Sequence, residues 1–472
     1  MKRFTALRSA LVFGSVCAFA VIGASTSSLA ADQAIVLSPV LPATVAVPQT
    51  NPDLSQLQTD FDTFSWQTFV ALNWPATSTG TPNTDVTIGQ QGAVTQSVWE
   101  SWKESTEVFK DDGTPPAPWG APSRYVPPEC KDLTAPDGSK VLPHLAKKPD
   151  VLFSSTQPFL TGPLIDQNGQ FARFEISLNK SMFDYIVNNE LYNTQGQQRF
   201  ADAGKKVGFA CTANGTSDTG AVMVKAAWKV LGPGDDRTRF YTRKALVWTP
   251  GTTNTTPQTP ATCSVSDVGM IGLHIATKVQ NNSQWVWSTF EHKGNVPDLD
   301  SLPASQPYSF YNQDCKDCTP VNQPPPRPWD PTKPGQPTQV ARVTPIDAPT
   351  TALNKSWQSA LAAVNPNSPW QNYDLVSTQW PTLVSKDCNT PATGSSPLGN
   401  PAPQFLANTT LESYVQGNTP NVSSSCIGCH KNATAMTGKF SDFTYMLSMA
   451  HPLAAPAPAP TTAPATTTPA KP

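Results

Sequence analysis

The chain has few charged residues and no long apolar stretch beyond its N-terminal segment. Only 14% of its 472 residues are Asp, Glu, Lys or Arg, and the formal net charge is −2. A mildly acidic chain without a basic run gives no reason to expect nucleic acid or an anionic membrane surface as a partner. No later stretch approaches the roughly 18 uninterrupted apolar residues of a spanning helix, so we expect no membrane span in the mature chain.

Proline and tryptophan are abundant instead. The 49 prolines fix φ and remove backbone donors, so we expect many turns and long ordered loops. The 13 tryptophans argue against a disordered chain, because such large apolar side chains need to be buried.

The N-terminus has the composition of an export signal. Three basic residues among the first eight precede an apolar stretch over residues 10–22, and Ser28-Leu29-Ala30 forms a small-residue cleavage site. We therefore predict a signal peptide over residues 1–30 and a mature protein in the bacterial periplasm.

The hydrophobic pattern predicts an α+β body built on an antiparallel sheet with flanking helices. Helices are predicted over residues 53–73, 97–109, 181–192 and 355–364. Strands are predicted over residues 171–178, 221–231, 239–249, 270–279 and 285–292. The turn-rich residues 280–284 fit a hairpin between the last two strands. Because the strands are not regularly interleaved with helices, a parallel doubly wound fold is not expected.

Composition also divides the chain into segments. We predict an extended lead-in over 31–52, an α+β body over 53–319, a proline-rich linker or strap over 320–337, a helix and loop segment over 338–403, a small helical unit over 404–452, and a disordered Ala/Pro/Thr tail over 453–472. In the small unit, helices are predicted over 411–416 and 441–450, the second with Ser441 as its N-cap.

The sequence Cys426-Ile427-Gly428-Cys429-His430 carries the clearest chemical information. In an exported protein, C-x-x-C-H is typical of c-type haem attachment: the two thiols form thioethers to the vinyl groups, and the histidine binds the iron from the proximal side. A chain of this composition contains the pattern by chance about 0.002 times. We therefore predict one haem c on Cys426 and Cys429, with His430 as the proximal iron ligand. A structural disulfide between the two cysteines is the alternative.

The sixth ligand of the iron would determine the chemistry. A methionine or a second histidine gives low-spin iron suited to electron transfer, whereas an open position lets peroxide or small gases bind. The candidates are Met446, Met449, His274 and His292, with His451 and His144 as weaker ones. The structural alternatives are core packing for Met446 and a hydrogen-bonded strand histidine for His274 and His292. On the strand face of His274, Gly272 and Ala276 are small enough to leave room for a flat macrocycle.

Six further cysteines follow the signal peptide, and an even number in an oxidising compartment predicts up to three disulfides. They are Cys130, Cys211, Cys263, Cys315, Cys318 and Cys388. The sequence does not choose among the pairings. Cys315 and Cys318 form a second C-x-x-C that is followed by Thr319 rather than histidine, which favours a local disulfide over haem attachment, thiol redox activity or metal binding.

Two segments together resemble a known group of proteins. Ser425-Cys426-Ile427-Gly428-Cys429-His430 with Asp442-Phe443 downstream, and Gly272-Leu273-His274-Ile275 followed by Trp285-Val286-Trp287-Ser288-Thr289-Phe290-Glu291-His292, are similar to large exported bacterial monohaem cytochrome c-like proteins. The resemblance covers most of the mature chain. It implies haem binding by Cys426, Cys429 and His430, and it supplies no reaction.

These observations favour a periplasmic c-type cytochrome that transfers electrons to or from an unidentified redox partner. The chain is larger than is needed to enclose one porphyrin, which leaves two alternatives. One is a haem enzyme, either peroxidase-like, oxygenase-like or a haem-linked oxidase; the other is a haem-based sensor. A peroxide-cleaving site needs a positioned proton acceptor and donor, for which His274, Glu291 and His292 are candidates. Glu291 and His292 are adjacent on a strand and should point to opposite faces.

Overall fold

A nine-stranded, largely antiparallel sheet forms the centre of the protein, and six α-helices accompany it among the described residues, which confirms the α+β prediction. The computed structural model describes residues 35–45, 53–90, 96–121, 126–134, 140–143, 161–212, 219–249, 251, 258, 260–280, 282–327, 329, 335–382, 400–416 and 424–454. The predicted signal peptide, His144, Cys388 and nearly all of the predicted tail lie outside these residues. The described residues from Val36 onward belong to one compact unit.

The strands follow the order β1-β3-β4-β6-β7-β8-β9, and β5 pairs with β6 and, in parallel, with β2. Their bounds are β1 Lys103–Glu104, β2 Lys140–Pro143, β3 Arg173–Leu178, β4 Val222–Val230, β5 Thr242–Thr249, β6 Thr262–Val279, β7 Asn282–His292, β8 Tyr373–Pro381 and β9 Pro401–Ala402. The helices are α1 Leu54–Leu72, α2 Ser105–Val108, α3 Lys180–Asn188, α4 Thr194–Asp202, α5 Ala348–Val364 and α6 Cys426–His430.

Helix α1 forms where the apolar spacing predicted it. Asp53 caps its first turn by accepting a hydrogen bond from the amide of Ser55 (2.9 Å). Phe61 and Phe64 are buried, and the ring of Phe61 stacks on Trp380 of β8 with centroids 4.6 Å apart. The helix therefore covers one face of the sheet with its aromatic stripe.

Strand β7 divides its side chains between the two faces of the sheet. Ser288 contacts Ser65 of α1 (Oγ–Oγ 2.7 Å), and Phe290 packs edge-on against Trp66 of the same helix. On the opposite face, Trp287 lies against His430 of α6. Because successive strand residues point to opposite sides, α1 and the C-x-x-C-H motif lie on opposite faces of one sheet.

The β6–β7 hairpin is tighter than predicted. Strand β6 ends at Val279 as predicted, but β7 begins at Asn282 rather than at residue 285, so that Val279 pairs with Asn282 and the connection shortens to two residues. At its other end β6 begins at Thr262, earlier than predicted, because its outer half pairs with β5.

Three predicted helices are wrong. Residues 97–109 contain two successive capping boxes, Ser97 with Glu100 and Glu104 with Glu107, which start separate short turns around β1 instead of one helix. Residues 411–416 form turns, because the Glu412 carboxylate accepts from the amide of Asn408 (2.9 Å) and holds the chain in a local loop.

The third incorrect prediction concerns residues 441–450. A short 3₁₀ helix, Tyr445–Met449, replaces the α-helix, and Thr444 rather than Ser441 is its N-cap. The residues before it, Asp442 and Phe443, have positive φ angles of 51° and 64°, which are incompatible with a right-handed helix.

Two disulfides are formed among the described residues, Cys130–Cys263 and Cys315–Cys318, and Cys211 is also disulfide-bonded. The second pair confirms the local disulfide that the sequence predicted. These bonds are consistent with an oxidising compartment outside the cytoplasm.

In the part of the chain that the structure describes, no helix is both long and apolar enough to cross a membrane.

Candidate functional site

The five-residue helix α6 brings the two thiols and the imidazole of the C-x-x-C-H motif onto little more than one turn. Ser425 caps it: the serine Oγ accepts from the amide of Gly428 (3.1 Å), and its carbonyl accepts from the amide of Cys429 (2.8 Å). A Cβ at position 428 would lie 3.0 Å from the Ser425 side chain. The small residue therefore lets the cap close over the start of the helix.

Gln379 of β8 fixes α6 to the sheet. Its side-chain oxygen accepts from the amide of Ile427 (2.8 Å) and from Ser425 Oγ (3.2 Å), while its amide nitrogen donates to the carbonyl of Pro403 (2.7 Å). Gln379 is fully buried and pairs in register with Trp287 of β7. The motif is thus held against β7 and β8 by a side chain that the sequence did not single out.

The two motif cysteines are free thiols. Cys426 and Cys429 are half-buried and are not joined to each other, whereas Cys315 and Cys318, with the same spacing, form a disulfide. Burial raises the pKa of both thiols, and for Cys426 the carboxylate of Glu412 adds to the effect. Both side chains are therefore neutral thiols, which differs from the disulfide alternative.

The imidazole of His430 is held at one nitrogen. Nδ1 lies 2.7 Å from the main-chain oxygen of Phe443 and donates to it, and no protein group bonds Nε2 within the described ranges. Burial lowers the pKa of His430 to about 4, so the ring is neutral near pH 7. A neutral imidazole with Nδ1–H bonded to a carbonyl presents the Nε2 lone pair that a metal ion requires.

Aromatic rings orient the same imidazole. The centroid of Trp287 lies 4.3 Å from that of His430, and Tyr445 approaches edge-on at 5.3 Å. The hydroxyl of Tyr445 donates to the carbonyl of Cys429 (2.8 Å), which ties the 3₁₀ turn to α6.

Three charged or ionisable groups lie near the motif on the same sheet face. Lys225 of β4 pairs in register with His274 of β6, and His274 Nε2 lies 3.3 Å from Glu412 Oε2. Burial alone would raise the pKa of Glu412, but His274 and Lys225 outweigh it and lower that pKa. His274 and Lys225 also lower the pKa of His430, because a nearby positive charge disfavours a second one.

The exposure of these side chains indicates an opening beside α6. His274 and Glu412 keep 18% and 14% of their side-chain surface accessible although they arise from the sheet centre and a buried turn, and Cys426, Cys429 and His430 are also partly accessible. Two free thiols, an unengaged imidazole Nε2 and a flanking histidine constitute a donor set that fits covalent haem with histidine ligation.

The remaining sixth-ligand candidates occupy different surroundings. Met446 is buried in a cluster with Ile427, Phe443 and Leu447, as expected for core packing, and Met449 is half-buried beside it. The structure does not bring His292 to the motif. This residue points to the opposite face from Glu291, stacks on Phe240, and has both ring nitrogens hydrogen-bonded, and burial lowers its pKa to about 3.

Three further residues named by the sequence are also engaged elsewhere. His451 lies 3.9 Å from Asp111 near the end of the described chain. Glu291 is bound by Arg342 (2.9 Å) and by the amide and hydroxyl of Thr409 (2.6 Å each), so its carboxylate is occupied by protein donors. Gly272 was expected to leave room for a flat macrocycle, but the Thr410 side chain fills that space. A Cβ added to Gly272 would lie 2.4 Å from Thr410 Oγ1.

Sequence reasoning missed Gln379, Glu412 and the backbone of Asp442. Lys225 was visible as a polar residue in an alternating strand, but nothing local related it to a motif 200 residues away. Within the described ranges, no three His, Cys, Asp or Glu side chains are grouped to hold a bare metal ion.

No known protein family, curated protein or solved structure matches the chain.

Proposed function

We propose that this protein is a periplasmic c-type cytochrome that carries one covalent haem and transfers electrons. The observation that carries the proposal is the state of α6: two free thiols in C-x-x-C-H spacing beside an imidazole whose Nδ1 is bound by a carbonyl and whose Nε2 has no protein partner. The resemblance to large exported monohaem cytochrome c-like proteins supports the same proposal, and membership in that group is part of it.

Some residues of the site would attach the haem, and others would adjust its reduction potential. Cys426 and Cys429 would hold the porphyrin through thioethers, and His430 would bind the iron through Nε2. When bound, haem supplies one-electron redox chemistry, which the protein tunes through ligands, burial and hydrogen bonds. Trp287 limits rotation of the proximal imidazole, and the carbonyl of Phe443 keeps its proton on Nδ1.

His274 is our preferred sixth ligand. It is a histidine on the same sheet face as the motif, it influences the pKa of His430, and its Nε2 faces the Glu412 carboxylate at 3.3 Å. Met446 and Met449 are less suited, because both pack with the apolar cluster under α6.

A haem enzyme acting on peroxide is the second candidate, and the pair His274–Glu412 favours it. A partly accessible imidazole 3.3 Å from a carboxylate, with Lys225 opposite, provides a proton acceptor and a proton donor next to the motif. In this alternative His274 would serve as the proton acceptor and not as an iron ligand.

Absorption spectroscopy of the purified holoprotein decides between these functions. For the cytochrome, we expect low-spin ferric and dithionite-reduced spectra in the wild type and conversion to a high-spin ferric spectrum in His274→Ala. His451→Ala is the matched control, since it removes a partly exposed histidine whose Nε2 faces Asp111 (3.9 Å), and its spectrum should not change. A wild-type ferric spectrum that is high-spin and shifts on adding cyanide would instead favour the peroxide enzyme. Absence of covalent haem from the wild type would refute both.

A further inference from the structure

We infer that Asp442 is a positioning residue for His430: its buried side chain holds the main chain in the conformation that presents the Phe443 carbonyl to the imidazole. This inference rests on the proposed haem attachment. Asp442 does not touch the imidazole, and it acts through Phe443.

The backbone at this point is unfavourable and therefore needs a cause. Asp442 and Phe443 are consecutive non-glycine residues with φ of 51° and 64°. The left-handed region is unfavourable for L-residues, least for Asp and Asn and more for a bulky aromatic residue such as Phe443. Strain of this kind persists where surrounding contacts over-determine it, and it is concentrated at functional sites.

Three separate parts of the fold hold Asp442. Its Oδ2 accepts from the amide of Phe209 (2.7 Å) and from Nζ of Lys278 on β6 (2.7 Å). Its main-chain oxygen accepts from the indole nitrogen of Trp285 on β7 (2.8 Å). The residue is 2% exposed, so these bonds are protected from competition by water.

The result of this fixation is the short hydrogen bond at His430. With Asp442 held, the next carbonyl points at Nδ1 and lies 2.7 Å from it. A hydrogen bond of this kind fixes the tautomer and orientation of a metal-binding histidine and raises its basicity. A more basic imidazole stabilises ferric iron over ferrous iron, so this contact would lower the reduction potential of a haem held by His430.

The test compares three variants of the holoprotein. Asp442→Asn favours the same backbone region and keeps an acceptor for Phe209, but it loses the charge. Asp442→Ala loses charge, acceptor and backbone preference together. Glu190→Ala is the matched control, because Glu190 is another non-glycine residue with positive φ (54°), but it is exposed and follows α3.

We expect the reduction equilibrium to shift toward ferrous iron by about tenfold in Asp442→Ala, which is about 59 mV for one electron. Asp442→Asn should shift it by a smaller factor, about threefold, and Glu190→Ala should leave it unchanged. The acid pH at which the ferric spectrum loses its low-spin form should rise in the same order, because a less well-held His430 is released more easily.

Two results would overturn the inference. Equal shifts in Asp442→Asn and Asp442→Ala would mean that only the charge matters, and no shift beyond that of Glu190→Ala would mean that Asp442 serves folding alone. If Asp442→Ala does not fold, Asp442→Asn and Trp285→Phe, which removes the donor to the Asp442 carbonyl, give the same comparison. A wild type without covalent haem would refute the proposed function first, whereas wild-type haem with unchanged variants would refute this inference alone.

Discussion

The indole of Trp287 lies against the imidazole of His430, with ring centroids 4.3 Å apart and planes inclined at 45°. This contact joins the central strand β7 directly to the residue proposed to bind iron. It also leaves Nε1 of Trp287 buried without a hydrogen-bond partner.

Trp287→Phe should change haem properties and stability together. The smaller ring leaves part of the cluster under α6 unfilled, which should lower the free energy of unfolding by about 1–3 kcal/mol. The substitution should also let the His430 imidazole rotate more freely and shift the visible absorption spectrum of the haem-loaded protein. Trp357→Phe is the matched control, since Trp357 is a buried tryptophan with an unpartnered Nε1 that stacks on Trp66 on the other face of the sheet. An equal spectral shift in the control would contradict a specific role for Trp287.

Replacing Cys426 and Cys429 by Ala should abolish haem that survives denaturation, because both thioethers are lost. Haem staining of the denatured chain after electrophoresis measures this. Cys315→Ala with Cys318→Ala removes a C-x-x-C pair of the same spacing that forms a disulfide, and this double variant should retain stained haem. Staining of the Cys426/Cys429 variant would refute covalent attachment at the motif.

Gln379→Leu should weaken the attachment of α6 to the sheet. It leaves the buried amide of Ile427 without its acceptor, and an unsatisfied buried donor costs about 1–3 kcal/mol. We expect lower unfolding free energy and a lower fraction of haem-loaded protein. Gln358→Leu removes a comparable side chain from α5, where the amide donates to the carbonyl of Tyr373. That control should lose stability but keep its haem loading; a parallel fall in loading would assign the effect to general destabilisation.

Asp62 should make stability depend on pH in a defined direction. Burial raises its pKa from 3.8 to about 6, against hydrogen bonds from Thr350, Thr378 and Gln58 that lower it. The folded state therefore holds the proton more tightly than the unfolded state, so its contribution to stability is greatest below about pH 4 and is lost as pH rises through about 6.

Asp62→Asn imitates the protonated carboxyl and should remove this dependence. Relative to the variant, the wild type should lose up to about 3 kcal/mol of unfolding free energy between about pH 4 and pH 6.5. Denaturant titrations at a series of pH values measure the difference. Asp60→Asn controls for a charge change on α1 outside this buried set of contacts. A difference that stays constant with pH, or that grows in the opposite direction, would contradict the predicted titration.

The sequence predicted those features that depend on local pattern. The aromatic stripe of α1, the alternating strand β4 and the C-x-x-C-H spacing each depend on side chains a few residues apart, and all three predicted elements are present. The small unit at the C-terminus was predicted less well. The helix predicted at 411–416 is replaced by turns. The one predicted at 441–450 is replaced by a short 3₁₀ helix preceded by Asp442, which is held by Lys278 and Trp285 from distant strands.

The candidate site shows the same limit. The thiols and His430 could be identified from one pentapeptide, but the residues that orient them come from elsewhere, Gln379 from β8 and Trp287 from β7. His274 could be named from sequence but not distinguished from His292. Their difference, a partly accessible ring near the motif against a buried ring with both nitrogens bonded, is a property of the folded sheet.

Alternate residues of strand β7 are under two different structural constraints. Its even-numbered residues, such as Ser288 and Phe290, are constrained by the fit of α1, and its odd-numbered residues, Trp285 and Trp287, by the surroundings of His430. Substitutions at the odd positions would therefore alter the surroundings of the proposed haem ligand while leaving the packing of α1 unchanged. A comparison of related sequences along β7 should show two rates of substitution that alternate residue by residue.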